Sequence, residues 1–286
     1  MKKAAAWALC LLCLLLPWSA LAEETITACG ITVDSDATAI DFGPVVVTDV
    51  DALVELLDRL PRLETVDMYE SRLSKTEMDM LFGRYPQITF GWTYRVGDHT
   101  VRTDITAFST LHGSSPDPIH SERDFQWLKF CKGLKAIDVG HNWITDVSFV
   151  TNFPELRVLI LAVSPITDIT PLSQLHELEY LELFTNRITD ISPLAGLTRL
   201  RDLNLKNNPV ADLSPLMGMT GLERLWIGGP RMDKVPQEQI DLLRASLPDC
   251  EIDWDSDPTG GTWREHPHYE TIYRMFRTQV YEPFDP

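Results

Sequence analysis

The chain of 286 residues lacks the short motifs by which many enzymes are recognised. It contains no GxSxG nucleophile turn, no phosphate-binding loop, no dinucleotide fingerprint and no HExxH zinc helix. His266 and His268 stand beside Glu265, but two histidines one residue apart are a weak metal signal, and a solvated turn is the better interpretation. We therefore predict that the protein is not an enzyme, with no catalytic residue, no metal and no cofactor.

Cysteine and positive charge are also scarce. Two of the five cysteines, Cys10 and Cys13, lie inside the apolar N-terminal run, and the other three are too widely spaced for a disulfide framework. The 25 Lys and Arg residues face 42 Asp and Glu residues, which gives a net charge of −17. Such a surface repels phosphate backbones and anionic lipids, and no basic stripe offsets it. We therefore expect no nucleic-acid partner.

Residues 1–22 have the features of a secretory signal peptide. Lys2 and Lys3 precede an uncharged apolar run, which ends in the small residues that signal peptidase reads at Ala22. Cleavage there would make Glu23 the first residue of the mature chain. This pattern predicts an extracellular protein, either secreted or associated with the cell surface.

Two alternatives to simple cleavage remain open. The apolar run is nearly long enough to span a bilayer as an uncleaved anchor, although Pro17 argues against this. The sequence Ile26-Thr27-Ala28-Cys29 is similar to the box before a lipidated bacterial cysteine, although residues 23–25 separate it from the apolar run. A lipid anchor at Cys29 is the only membrane attachment of the mature chain that we consider.

A repeat with a period of 22 residues dominates residues 134–235. Position zero is leucine in five successive coils: Leu134, Leu156, Leu178, Leu200 and Leu222. Positions three and five are apolar in every coil, so they mark one face of a short strand that points into the core. Asparagine recurs at position eight, aspartate at position twelve, and Ser-Pro or Thr-Pro at positions fourteen and fifteen.

These columns predict scaffold roles. A buried Asn at position eight would satisfy backbone groups of neighbouring coils, and Ser164 interrupts that column. The Asp column is expected to accept hydrogen bonds in a turn or cap. The Ser-Pro or Thr-Pro pair is expected to start a short 3₁₀-like segment, with the hydroxyl as its cap.

The pattern LxxLxLxxNxIxDIxPLxxL resembles the bacterial leucine-rich repeats of the internalin type. The resemblance implies an α/β fold: a right-handed, horseshoe-shaped solenoid with a concave parallel β-sheet, short 3₁₀ or α segments on the convex side, and N- and C-terminal caps. It also implies that the concave face binds partners, usually proteins. Internalins often add an immunoglobulin-like domain and a wall-sorting signal, and this sequence shows neither. The whole chain further resembles uncharacterised secreted repeat proteins of gut-dwelling clostridia.

The flanks of the array predict further coils and caps. We expect helices at about 50–60, 73–82, 235–244 and 267–278, a capping box formed by Ser74 and Glu77, and a hairpin turning at Gly97-Asp98. Residues 121–133 are interpreted as the outer half of an incomplete coil, with Cys131 in its core. The predicted parts are a signal peptide (1–22), an N-terminal cap and first coil (23–62), irregular longer repeats (63–133) with a hairpin insertion (93–120), a regular array ending in one longer coil (134–254), and a C-terminal cap (255–286).

The concave face consists of positions two, four and six of each coil, which the strand period points away from the core. Large apolar groups flanked by polar ones favour a binding surface there. The candidate ligand-binding residues are Ile160, Tyr180, Glu182, Phe184, Asn204 and Trp226. In the alternative interpretation, Trp226 packs under the C-terminal cap and the other apolar residues are scattered surface groups.

The predicted function is macromolecular binding through the concave face. The expected partner is an extracellular protein, or else a cell-surface glycan. Two other functions stay open: an extracellular enzyme with its site in residues 93–120 or in the C-terminal cap, and a structural spacer at the cell surface.

Overall fold

The structure is a computed structural model that describes residues 25–96, 99–111, 120–255, 257–258 and 262–284. Two predicted features lie outside the described residues: the signal peptide at 1–22 and the turn at 97–98. Within the described part, no helix is long and apolar enough to cross a membrane.

Two parallel sheets and two hairpins make up the β structure. The strands are β1 (Thr25–Ala28), β2 (Ile31–Asp34), β3 (Ala39–Asp41), β4 (Thr65–Asp67), β5 (Thr89–Gly91), β6 (Thr93–Val96), β7 (His99–Arg102), β8 (Ala107–Ser109), β9 (Ala136–Asp138), β10 (Val158–Ile160), β11 (Tyr180–Glu182), β12 (Asp202–Asn204), β13 (Arg224–Trp226) and β14 (Glu251–Asp253). Strands β3–β5 form one parallel sheet, and strands β8–β14 form a seven-stranded parallel sheet in chain order. Strand pairs β1–β2 and β6–β7 are antiparallel hairpins.

Helices connect consecutive strands on the convex side of the coils, and one further helix, α5, follows the last strand. The α-helices are α1 (Val50–Leu57), α2 (Lys75–Arg84), α3 (Glu122–Phe125), α4 (Gln237–Ser246) and α5 (Pro267–Thr278). The 3₁₀ helices are Gln126–Phe130, Ser148–Asn152, Thr170–Gln174, Ser192–Leu194 and Ser214–Leu216. The capping box at the start of α2 is present, because Ser74 and Glu77 exchange hydrogen bonds between side chain and backbone.

The register of the large sheet follows the repeat. Ile137, Leu159 and Leu181, all at position three, are direct neighbours across β9, β10 and β11. Positions three and five are fully buried in all five regular coils. Their side chains belong to one continuous apolar core that extends from Ile26 to Leu247 and joins both parallel sheets.

The asparagine column satisfies backbone groups, as predicted. The Asn186 amide donates to the carbonyls of Leu161 and Leu183, at 2.9 Å each, and its oxygen accepts from the N–H of Ile166. Asn208 repeats this arrangement one coil later. In the coil that carries Ser164, the hydroxyl makes a single bond to the carbonyl of Asn142, so one coil has fewer of these links.

The aspartate column caps the 3₁₀ helices, and this corrects the cap expected from Ser or Thr. The carboxylates of Asp168, Asp190 and Asp212 each accept from the backbone N–H two residues later, at 2.8–2.9 Å. These helices have no side-chain bond from their own N-cap residue. The hydrogen bonds hold the pKa of each carboxyl below its usual value.

Strand β8 went unrecognised in the sequence, as did the three strands β1–β3 that precede α1. Strand β8 lies inside the range 93–120 that we assigned to an insertion, and it pairs with β9 in the large sheet. The coil of residues 121–133 therefore has its own strand and is not incomplete. Cys131 is fully buried in this coil, as expected, with its Sγ 3.7 Å from the carbonyl oxygen of Arg102.

Candidate functional site

The six candidate residues of the concave face are buried, and the expectation that they face solvent is wrong. Tyr180, Asn204 and Trp226 are wholly inaccessible, and Ile160, Glu182 and Phe184 are nearly so. The cause is the C-terminal segment, residues 262–284, whose helix α5 packs against β8 and β9. The strand period told which way these side chains point, but it carried no information about what covers them.

The C-terminal segment is consequently not a cap over the end of the core. It runs across the concave face from β13, where Trp263 meets Trp226, to β8, where the carbonyl of Gln279 accepts from the N–H groups of Thr106 and Ala107. The helix at 267–278 was predicted with these bounds, but its position was not. The alternative interpretation is confirmed for Trp226, which packs under a C-terminal element, and is wrong for Ile160, Tyr180 and Phe184, which are buried and not scattered surface groups.

Trp263 is the aromatic anchor of the segment. Its ring centroid lies 5.1 Å from that of Trp226 and 5.5 Å from that of Tyr180, and it is fully buried. Its indole N–H donates to the Glu182 carboxylate at 2.9 Å, and the Tyr180 hydroxyl donates to the same oxygen. A buried Trp removes about 150–250 Å² from water, which stabilises the contact by roughly 4–6 kcal/mol.

Asp202 is the centre of a buried charge cluster. Its carboxylate meets the Nε of Arg224 at 2.5 Å and the Nδ1 of His268 at 2.6 Å. Arg224 also donates to the carbonyl of Trp263 and places its guanidinium 4.5 Å from that ring. Burial alone would raise the pKa of Asp202, but the bonds from His268 and Arg224 outweigh it and the pKa lies below its usual value.

Two further carboxyls are enclosed beneath the segment. Burial raises the pKa of Asp138 to about 7, although the N–H of Gly140 and the hydroxyl of Ser109 both donate to it. Burial likewise raises the pKa of Glu182. Arg224 Nη2 and Trp226 Nε1 are buried with no hydrogen-bond partner among the described residues. Such groups weaken the contact between the segment and the sheet, because each loses its hydrogen bonds to water without full replacement.

This cluster is the one that the enzyme alternative expected in the C-terminal region. It holds Asp and Glu groups with shifted pKa values together with His268, but Asp202 is wholly buried and His268 nearly so. Each of its members bonds to another part of the chain. The arrangement fixes the segment to the sheet.

A cavity of about 570 Å³ lies between the end of the segment and the residues that directly precede strands β9 to β12. Its arginines are paired: Arg157 and Arg199 both contact Glu177, and Arg201 contacts Glu223. Its positive groups are therefore already neutralised by carboxylates of the same surface.

A second cavity, of about 350 Å³, lies where the strands end and the chain turns outward; we call it the loop-edge pocket. Trp143 forms one wall with 63% of its surface exposed, and Val163 and Pro165 line the apolar part. Arg187 and Arg231 supply positive charge, and among the described residues neither has a carboxylate within ion-pair distance. Arg231 donates to the carbonyl of Asn186, which holds it in place.

The backbone beside the loop-edge pocket has positive φ at position seven of each coil. The values are +57° at His141, +55° at Val163 and +57° at Thr185, and a glycine stands at this position in the fifth coil. This conformation aims the position-seven N–H at the next coil, as in the 2.9 Å bond from Val163 to the carbonyl of Phe184. For β-branched residues it costs about 1–3 kcal/mol, which the ladder of bonds must offset.

Sequence reasoning missed Trp143, Arg187 and Arg231. Trp143 stands at position nine, between the buried columns eight and ten, where the repeat sets no requirement. A large aromatic residue at an unconstrained position is the signal that was available. Arg187 and Arg231 also stand at position nine, in the third and fifth coils, so the register of the repeat places them on the edge of the solenoid that carries Trp143.

Comparisons with known proteins agree with the repeat architecture. A family model described as Leucine Rich repeats (2 copies) matches residues 154–196. No curated protein matches the chain. Together with the register of the parallel sheet, the family match confirms the predicted fold class, a leucine-rich-repeat solenoid.

Solved structures with similarity include two internalins of Listeria monocytogenes. One (inlF) is 20% identical, with 78% of this chain and 71% of that chain covered and a TM-score of 0.43. Internalin C2 (inlC2) is 27% identical, with 56% and 78% covered and a TM-score of 0.37. A leucine-rich-repeat protein of Leptospira interrogans is 18% identical, with 69% and 50% covered and a TM-score of 0.41.

Proposed function

We propose that this protein is an extracellular binding module that captures a protein partner at the loop-edge pocket. The observation that carries the proposal is Trp143, which is largely exposed beside two arginines that pair with no carboxylate of the described chain. Tryptophan and arginine are the residue types that contribute most to protein interfaces. An exposed Trp costs solubility, and binding is a function that would offset this cost.

The charges of the pocket indicate the chemistry of the partner. The chain as a whole is strongly acidic, so it repels acidic proteins at long range. Arg187 and Arg231 reverse this locally, and a guanidinium binds a carboxylate through two parallel hydrogen bonds. The pocket thus suits a peptide segment that presents a carboxylate next to an apolar side chain.

Extracellular localisation rests on the sequence of residues 1–22. The structure adds one consideration: Cys29 and Gly30 form the turn of the β1–β2 hairpin. Cleavage directly before Cys29, as lipidation requires, would remove β1 from this pair. We therefore favour cleavage after Ala22 and a secreted chain that begins with Glu23. Mass spectrometry of the N-terminus of the exported protein tests this, and a chain beginning at Cys29 would contradict it.

The binding proposal is tested by capture of extracellular proteins on the immobilised full-length chain. We expect a partner that is retained by the wild type but lost with Trp143→Ala. The control variant Tyr273→Ala, which truncates an exposed aromatic residue on α5, should retain the partner. Arg187→Glu should also abolish capture, since it repels the partner's carboxylate. Equal capture by the wild type and both pocket variants would show that the loop-edge pocket is not the binding surface.

A further inference from the structure

We propose that the concave face is a peptide-binding groove, and that the C-terminal segment occupies it as a replaceable ligand. The ligand class is an amphipathic helical peptide that begins with a tryptophan and carries a histidine five positions later. This inference concerns a surface separate from the loop-edge pocket, and it stands whether or not Trp143 binds a partner.

The solenoid core is complete without the segment. The core side chains from Ile26 to Leu247 form one cluster. Trp263 and the buried residues of α5 belong to a second cluster, shared with the concave face. Since the sheet itself separates the two clusters, removal of the segment would expose the concave face and leave the core between strands and convex helices closed.

The contact between the segment and the concave face has the composition of a binding interface. Aromatic anchors are central: Trp263 lies between Tyr180 and Trp226. Around them stand polar contacts of the kind that determine specificity, including the pair of Asp202 with His268 and the bond from Trp263 to Glu182. A solenoid core consists of repeated aliphatic columns, whereas aromatic and arginine residues are typical of interfaces.

The contact between the segment and the sheet also encloses groups that oppose it. Arg224 Nη2 and Trp226 Nε1 are buried without a partner among the described residues, and Asp138 is a fully enclosed carboxyl. Opening the segment returns all three to water. A contact that buries unpaired polar groups opens more readily than the apolar core, because the apolar side chains of the core gain no hydrogen bonds when they are exposed to water.

Tethering explains why the groove is occupied in the resting chain. A segment joined by a short linker has an effective concentration in the millimolar range, so it excludes a free peptide of equal intrinsic affinity. A competing peptide at micromolar concentration gains access only when the resident segment is weakened. The experiment therefore weakens the resident segment in the full-length chain and supplies the unmodified segment as a separate peptide.

The test measures binding of a labelled synthetic peptide with the sequence of residues 257–284 to full-length variants. We expect the peptide to bind Trp263→Ala at least tenfold more tightly than it binds the wild type or the control variant Tyr273→Ala, whose tyrosine is exposed on α5 of the same segment. A peptide that itself carries Trp263→Ala should bind none of them. Equal binding of the peptide to Trp263→Ala and Tyr273→Ala would overturn the proposal.

A second measurement uses the wild-type chain and does not depend on the folding of any variant. Under native conditions we expect the amides of α5 to exchange with solvent at least tenfold faster, after correction for intrinsic rates, than those of β10–β12. This result would show that the segment opens while the solenoid stays folded. A single, shared protection level for α5 and the strands would show that the segment is a permanent part of the fold, and the proposal would be wrong.

Discussion

The two faces of the large parallel sheet follow different rules. On the core face, each coil repeats the same aliphatic choice, and Leu159, Leu181 and Leu203 are interchangeable in kind. On the concave face, no column repeats: Tyr180, Asp202 and Arg224 follow one another at a single position. Side chains on the core face contact the same repeat position in neighbouring coils, whereas side chains on the concave face contact the C-terminal segment, which occurs once. Periodicity therefore marks residues that serve the scaffold, and its absence marks residues that recognise something specific.

The sharpest test of the core face is Leu181→Ala. It removes a fully buried side chain from the middle of the array, and we expect a loss of about 2–5 kcal/mol in the free energy of unfolding. Urea denaturation measures it. The control Leu242→Ala removes an exposed leucine from α4 and should change stability by less than about 0.5 kcal/mol. Similar losses in both variants would mean that burial in this column does not determine stability.

A smaller effect is expected at the column that ends the core face. Asn186→Ala leaves two carbonyls and one N–H without their hydrogen-bond partner, and we expect the free energy of unfolding to fall by about 1–3 kcal/mol. Asn186→Ser imitates the coil of Ser164, where a hydroxyl is accommodated, and should lose less. Denaturation curves of the two variants compare them directly, and an Asn186→Ser that is no more stable than Asn186→Ala would contradict this ranking.

The concave face should show a pH dependence that the core face lacks. The pKa of Asp138 is about 7 in the folded chain against 3.8 for an ordinary Asp, since burial dominates over the N–H of Gly140; the charge of Glu182 raises it further and that of Arg264 lowers it. The folded state therefore holds the extra proton. Binding of this proton stabilises the folded state fully below about pH 4, and the stabilisation is lost as the pH rises through about 7.

Between pH 5 and pH 6 this predicts a decrease of about 1 kcal/mol per pH unit in the free energy of unfolding. Urea denaturation at several pH values measures the slope, and Asp138→Asn should remove most of it. Asp202 acts in the opposite sense. Because its pKa is lowered in the folded state, it stabilises the fold at pH values above the ordinary Asp pKa of 3.8, and this contribution is lost as the pH falls through the lowered pKa. A flat profile between pH 5 and pH 7 would show that Asp138 is not enclosed in solution.

The smallest effect is expected on the convex side. Asp190→Ala removes the exposed acceptor that caps one 3₁₀ helix, so stability should fall only slightly. The loss should disappear when the wild-type carboxyl is itself protonated, below its lowered pKa. Thermal unfolding of both chains near neutral pH and in acid measures the difference. A loss that persists unchanged in acid would assign Asp190 a role other than hydrogen-bond acceptor.

The contrast between the faces also explains how much the sequence could predict. Columns that repeat predicted the strand register, the buried positions and the asparagine links, and the flanking sequence outside the array predicted the bounds of α5. Strand β8 escaped recognition because Ala107 and Ser109 flank a single core residue, Phe108, and no leucine column continues into that coil. The cover over Tyr180 and Trp226 escaped because it depends on a contact between residues far apart in the chain, and no period encodes such a contact.

The path of the C-terminal segment has a consequence for how this gene can evolve. Repeat arrays commonly change length by duplication or deletion of whole units. Here Trp263 is anchored on β13 and Gln279 on β8, so the segment measures the distance across the strands between them. An additional coil would lengthen that distance by about 4.8 Å and separate one anchor from its partner. The length of the segment thereby constrains the number of coils that can lie between its two anchors.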